Sequence, residues 1–291
     1  MDNQEQWVQE HWYQHQINKR EAEGPKPTAF DTPQRVSGAG SCIRARTFEA
    51  HGVPESEQFT AQSFMAFELG NAIHESIQEA LGTDTDLWDF EAEVPIDLTE
   101  ASKLVGHGIE EFGLSGHCDG IITDLRHGTR TILEIKTVSG YAAKLAWKGG
   151  PKREHVSQAS LYLLGAKADG ILIVYVAKEG DWRAGIKSGD VMQWEFGLHE
   201  PIDYFDGMSA YDLAINELRH FQYAARYYAK DQIAPAFVPN DSGELVLVHD
   251  RPEYMQKGGK PWHCAYCRWN TTCRSLPEDE VPVEMVERNK Q

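Results

Sequence analysis

Asp119, Glu134 and Lys136 are residues whose types and spacing can do chemistry. Asp119 lies in the apolar run GHCDGII, and Glu134 follows in LEIKT with Lys136 two positions on. Alternate residues of a strand share a face. Glu134 and Lys136 therefore project together, and a hairpin through the intervening turn RHGT would bring Asp119 beside them. Two carboxylates converging near an ammonium make a hard-oxygen site for Mg²⁺ or Mn²⁺, with the lysine placed to orient or deprotonate an attacking water. The competing reading is a strand that shows its charged face to solvent. Apolar flanks on both segments favour strands inside a central sheet, where charge is unexpected unless paired or metal-bound.

Cysteine supplies the second constellation. WHCAYCRWNTTC holds Cys264, Cys267 and Cys273, and Cys42 stands far upstream in SCIRARTF. Five cysteines, an odd number, behind a polar N-terminus unlike an export signal, argue for metal or thiol chemistry over a disulfide framework. Four thiolates suit a [4Fe–4S] cluster and equally suit tetrahedral zinc, for which His263 offers an alternative nitrogen ligand. Either metal would close the long loop from Cys42 to Cys264, a structural role. Cys118, beside Asp119 but pointing to the other face of its strand, reads as a small buried hydrophobe.

The elements that must position these residues follow from periodicity. Leu69, Ile73, Ile77 and Leu81 recur at four-residue spacing and predict an amphipathic helix over 62–81, with His74 beside the apolar stripe. FEAEVPIDL, FGLSGHCDGIITDL and TRTILEIKTV read as a meander of strands. A helix around 155–168, an apolar strand GILIVYVAK and a long helix within 204–230 follow. Residues 1–30 are a polar arm or short helix with a linker, contributing little core. Residues 31–291 are expected to form one domain, in which 235–280 joins Cys42 to build the cluster region. No internal repeat is evident.

The ordered set resembles the RecB-like branch of the PD-(D/E)XK nucleases. GNAIHE resembles the family's first motif, GHCDGII its second, LEIKT its third and QASLY its downstream helical motif. The resemblance implies an α/β restriction-endonuclease-like core, a mixed central sheet flanked by helices. It implies His74, Asp119 and Glu134 as metal ligands, Lys136 as the catalytic lysine, and Gln158 and Tyr162 as residues that position the lysine and the DNA. The one-plus-three cysteine distribution is similar to the iron–sulfur staple of AddB-type nuclease domains and of CRISPR-associated RecB-like exonucleases, which puts iron–sulfur ahead of zinc.

Lys144, Lys148, Lys152 and Arg153, with Tyr141 and Trp147 interleaved, form a local basic and aromatic patch in YAAKLAWKGGPKREH, read as a mobile loop at the catalytic entrance. Cations for phosphate and rings for bases are the components of single-strand binding. Arg44 and Arg46 are further candidate phosphate contacts. The net charge of −17 runs against a nucleic-acid enzyme, although binding depends on local charge and on the cations a carboxylate site carries. No G-x-x-x-x-G-K-[ST] loop is present, so unwinding would come from a partner.

The expectation is therefore a metal-dependent DNA exonuclease on single-stranded or frayed ends, serving recombination, repair, phage DNA metabolism or CRISPR adaptation. A helicase, a recombinase or a CRISPR-integration complex would be the protein partner. The chain is expected in the cytoplasm, with no membrane segment. The rival from another class is a non-catalytic DNA-end-binding or assembly subunit, which would not require Asp119, Glu134 and Lys136 together.

Overall fold

A computed structural model describes residues 7–22, 34–83, 85–106, 113–240, 242–248, 264 and 266–288 of the chain. His263 lies outside the described residues.

The chain runs through helix α1 (Trp7–Ala22), strand β1 (Gln34–Arg35), helices α2 (Ile43–Ala50) and α3 (Ala61–Leu81), strand β2 (Trp88–Asp97) and a short helix α4 (Thr99–Ser102). Strands β3 (Leu114–Asp124) and β4 (Arg130–Val138) follow, then helices α5 (Gly140–Gly149) and α6 (Arg153–Ala166), strands β5 (Gly170–Ala177) and β6 (Val191–Gly197), and helix α7 (Ala210–Tyr228). Two small strand pairs, Gln232–Ile233 with Val281–Pro282 and Phe237–Pro239 with Leu245–Leu247, organise the tail.

The main sheet is mixed and flanked by helices, the α/β architecture expected from the sequence. Its order is β1-β3-β4-β5-β6, with β2 on the other side of β3. The β3–β4 and β5–β6 pairs are antiparallel and β4–β5 is parallel. Period-two alternation sorts β4 between the two faces. Leu133 and Ile135 pack with Val174, Val176 and the α3 residues Ile73, Ile77 and Leu81. Ile132 enters the larger core beneath α5, α6 and α7, with Ile121, Ile173, Val156, Leu213 and Phe221. Glu134 and Lys136 continue the Ile132 side and so belong to the α6 face. Asp119 follows Cys118, which is buried in that same core, and its side chain turns into the gap at the end of the β3–β4 ladder.

Three expectations need correction or refinement. The segment read as a mobile loop is helix α5: its run of Ala, Leu and Lys is strongly helix-forming, Ser139 caps it by accepting from Ala142 N, and it stops only at Gly150, whose φ of 80° suits glycine. The N-terminal arm forms α1, which docks on α3: the Tyr13 hydroxyl donates to Phe59 O, and the Tyr13 ring meets Phe64 edge-on. The apolar stripe of α3 is only partly covered, and Leu69 is 40% exposed. Among the described residues no helix is long and apolar enough to cross a membrane.

Candidate active site

The β3–β4 ladder runs from Thr123↔Arg130 to Gly120↔Leu133 and ends there. Beyond that point the strands diverge, and side chains fill the opening. Asp119 Oδ2 accepts the Ile135 backbone N–H at 2.5 Å, so a carboxylate replaces the next rung of the ladder. Asp119 Oδ1 lies 3.5 Å from Nδ1 of His74, which α3 delivers from above the sheet.

Glu134 is 1% exposed, and its carboxylate is in contact with Lys136 Nζ. Beyond that ion pair neither of its oxygens has a hydrogen-bond partner. Burial pushes the Glu134 carboxyl up to about 7, against the pull of the Lys136 charge and with the help of Asp119. Burial would lower Lys136, but the charge and hydrogen bond of Glu134, joined by the charges of Asp119 and Glu154, together outweigh it and hold the ammonium above its ordinary value. The pair thus keeps Lys136 charged. Lys136 Nζ also donates to Gln158 Oε1 at 3.4 Å, and Gln158 Nε2 donates to the Tyr162 hydroxyl at 3.3 Å. Gln158 and Tyr162, four apart on α6, reach the same site because they share a helix face. Gly116 makes room for the tyrosine: a Cβ there would lie 2.8 Å from its ring.

The residues His74, Asp119, Glu134, Lys136, Gln158 and Tyr162 are therefore gathered between α3, β3, β4 and α6. They fit a hard divalent cation: a buried carboxylate with lone pairs unspent, a second carboxylate and an imidazole. Among the described residues no three His, Cys, Asp or Glu side chains stand as a group that could hold a metal ion, His74, Asp119 and Glu134 included.

Sequence reasoning missed His155, one turn before Gln158. The Tyr175 hydroxyl accepts Lys152 N–H at 2.8 Å and shares a 2.6 Å hydrogen bond with His155 Nδ1, whose direction the imidazole tautomer sets. Burial, with the charges of Lys136 and Lys152, holds this imidazole well below its ordinary value. Its spacing from Gln158 was the available signal.

The four cysteines also converge. Cys42, Cys264, Cys267 and Cys273 line one small cavity with Arg44, Phe48, Ala236 and Val248. Burial pushes the Cys42 thiol up to about 12 and Cys264 to about 11, each raised further by the neighbouring sulfurs. Such thiols stay protonated unless a cation takes the proton's place. The four sulfurs share a largely apolar cavity, but among the described residues no three of them stand as a group that could hold a metal ion. Cys118 is fully buried in the main core, apart from this group.

Arg44 and Arg46 are not phosphate contacts. Arg44 is 2% exposed; it donates to Ala234 O, Glu278 O and Asp279 O, with Cys273 Sγ 3.8 Å away. Arg46 is buried against Glu217 and over the Phe221 ring. Their positions on the inward face of α2 decide this. On α5, Trp147 is 71% and Tyr141 65% exposed, Lys148 is exposed and Lys144 half-buried. Lys152 pairs with Glu154 at 3.5 Å, and Arg153 is turned toward Met208 and Gly243. The candidate DNA surface thus narrows to α5.

No family model and no curated protein matches the chain. Among solved structures it is similar to the protein SSO0001, at 17% identity and a TM-score of 0.49 over 89% of this chain and 93% of that one. It is similar to an alkaline exonuclease from Laribacter hongkongensis, at 13% identity and a TM-score of 0.41 over 68% of this chain and 90% of that one. A phage-related exonuclease from Haemophilus somnus 129PT aligns at 13% identity and a TM-score of 0.36 over 64% and 78% of the two chains.

Proposed function

We propose that this chain is a divalent-metal-dependent deoxyribonuclease of the PD-(D/E)XK type, an exonuclease acting on single-stranded or frayed DNA ends. The observation that carries the reading is the convergence of Asp119, Glu134 and Lys136 at the point where β3 and β4 diverge, with Glu134 buried and its oxygens uncommitted beyond the lysine.

His74, Asp119 and Glu134 would hold Mg²⁺ or Mn²⁺, which when bound supplies polarisation of a phosphoryl oxygen and a more acidic water. Lys136 contributes a fixed positive charge. Gln158 and Glu134 hold its Nζ from two sides, so the ammonium is oriented before substrate arrives, and charge developing on the phosphate is stabilised without reorganisation. Tyr162 stays a neutral donor, because burial raises its phenol. The exposed rings and lysines of α5 suit a flexible strand, whose bases are free to stack. The four cysteines are proposed to hold a [4Fe–4S] cluster, with zinc as the alternative. The cluster's role is to tie the α2 end of the molecule to its C-terminal tail. Recombination, repair, phage DNA metabolism or CRISPR adaptation is the proposed setting, with a helicase, recombinase or integration complex as partner and the cytoplasm as compartment.

The test is degradation of end-labelled single-stranded and duplex DNA by anaerobically purified protein with Mn²⁺ or Mg²⁺, comparing wild type with Lys136→Ala. Metal-dependent cleavage that is lost in the variant is expected. A folded, metal-loaded wild type that binds DNA and does not cut it would leave the end-binding subunit as the function.

A further inference from the structure

Asp119 is held at its backbone as well as at its carboxylate. Its carbonyl oxygen accepts a hydrogen bond at 2.7 Å from the side-chain amide of Gln78, and the same nitrogen donates to Glu93 Oε1 at 2.7 Å. Gln78 stands four residues after His74 in α3, so both side chains descend from one helix face. His74 meets the Asp119 carboxylate and Gln78 meets the backbone of the same residue.

Glu93 is the residue that β2 sets directly across from Asp119: its neighbours pair as Ala92↔Gly120 and Val94↔Cys118. Its φ is 49°, left-handed in the middle of a strand. The other non-glycine residues with positive φ among those described are Lys167, Asp206 and Asp231, all at helix ends or turns. A side-chain-bearing residue in that region costs on the order of 1–3 kcal/mol, and such outliers gather at functional sites. Glu93 is exposed, so core packing does not account for its strain. What the conformation accompanies is a carboxylate held against Gln78. An ionised carboxylate only accepts hydrogen bonds. It therefore fixes which end of the Gln78 amide faces it, and the same NH₂ group serves the Asp119 carbonyl.

We infer that Gln78 and Glu93 are positioning residues of the metal centre. Gln78 locks Asp119 at a set distance beneath His74, and Glu93 orients the Gln78 amide for that contact. The inference rests on the reading of His74, Asp119 and Glu134 as the residues that hold a divalent cation.

The experiment is a Mn²⁺ titration of the full chain without DNA, following the free-ion signal by electron paramagnetic resonance, together with thermal unfolding. Gln78→Leu, Glu93→Ala and Glu93→Gln are compared with wild type. Partners that hold a ligand in place typically contribute about tenfold or more to metal affinity. Gln78→Leu is expected to weaken Mn²⁺ binding by about that factor. Glu93→Ala should weaken it less, and Glu93→Gln, which keeps an acceptor oxygen, should recover part of the Glu93→Ala loss. A merely structural pair would lower the melting temperature and leave the Mn²⁺ midpoint where it was, which overturns the inference. Should Gln78→Leu fail to fold, a Glu93→Ala midpoint equal to wild type overturns it as well. A wild type that binds no Mn²⁺ removes the metal-centre reading itself, and this inference with it.

Discussion

The Asp119 carboxylate stands in for a rung of the sheet: its Oδ2 accepts the Ile135 N–H at 2.5 Å just past the last β3–β4 pair, Gly120↔Leu133. One side chain therefore serves both the fold and the candidate chemistry. Asp119→Ala would orphan a buried N–H, at a cost of about 1–3 kcal/mol. Asp119→Asn keeps a carbonyl oxygen for Ile135 and loses the charge. The expected outcome is that Asn restores most of the stability lost with Ala, while both variants lose at least about a hundredfold in metal-dependent cleavage. Melting curves and cleavage rates check this, and an Asn variant that cuts at the wild-type rate would sink the role given to Asp119.

On α5, Trp147 is 71% exposed, so its replacement should cost little stability. Stacking of a base on an aromatic ring is worth about 1–3 kcal/mol. Trp147→Ala is expected to weaken single-strand binding about tenfold, read by fluorescence anisotropy in the Lys136→Ala background so that the probe survives. Arg44→Ala should behave in the opposite way and fail through unfolding, since three backbone carbonyls depend on its guanidinium. Unchanged binding by Trp147→Ala would move the nucleic acid to another surface.

Much of this was legible because the informative signals were local. The run LEIKT, alternating between an apolar face and a charged one, put Glu134 and Lys136 together, and β4 spans Arg130–Val138 accordingly. The i, i+4 spacing of Gln158 and Tyr162 put both on one face of α6 in the same way. What stayed illegible depended on partners distant in sequence. Arg44 and Arg46 look like surface cations until α2 is seen packed inward on α7 and the tail, where Ala234, Glu278, Asp279 and Glu217 receive them. YAAKLAWK was read as part of a mobile loop, although its alanines and Ser139 already specified a helix. Gln78 carried a usable signal, its spacing from His74. Glu93 carried none, because its conformation is set by pairing across β3.

The Arg46–Glu217 pair makes a prediction about acid. Both side chains are buried, and His220 Nδ1 lies 3.2 Å from Glu217 Oε2. Burial alone would raise Glu217, but Arg46 first and His220 second hold its carboxyl at about 2. A carboxyl depressed from its ordinary range near 4.5 contributes stability that is present above that range and lost as pH falls toward 2. Glu217→Gln leaves the Arg46 charge buried without its carboxylate, so a loss of about 3 kcal/mol is expected at pH 7 by urea unfolding. The gap between wild type and variant should shrink as pH drops from about 4.5 to about 2. A gap that stays constant over that range would show that the pair carries no such coupling.

The cysteine cavity joins α2 to the tail, with Cys42 immediately before the helix and Cys264, Cys267 and Cys273 on the other side. A metal bound there closes a loop of more than two hundred residues, and the entropy withheld from the unfolded chain by a crosslink of that span is about 4 kcal/mol or more. At roughly 2–4 °C per kcal/mol for a chain of this size, metal removal should lower the melting temperature by about 10 °C. Cys42→Ser should reproduce most of that fall, because it cuts the link between the two ends, whereas Cys118→Ser should bleach no chromophore. A brown protein absorbing broadly near about 400 nm identifies iron–sulfur, and a colourless one with stoichiometric zinc identifies the alternative. Both metals make the same demand on the thiols: those raised to about 12 and 11 at Cys42 and Cys264 must give up their protons to either, so the affinity should rise with pH for both. Only the iron–sulfur form should lose its colour and its added stability together on exposure to air. A melting temperature indifferent to chelator, to air and to Cys42→Ser would show that the four sulfurs hold no metal.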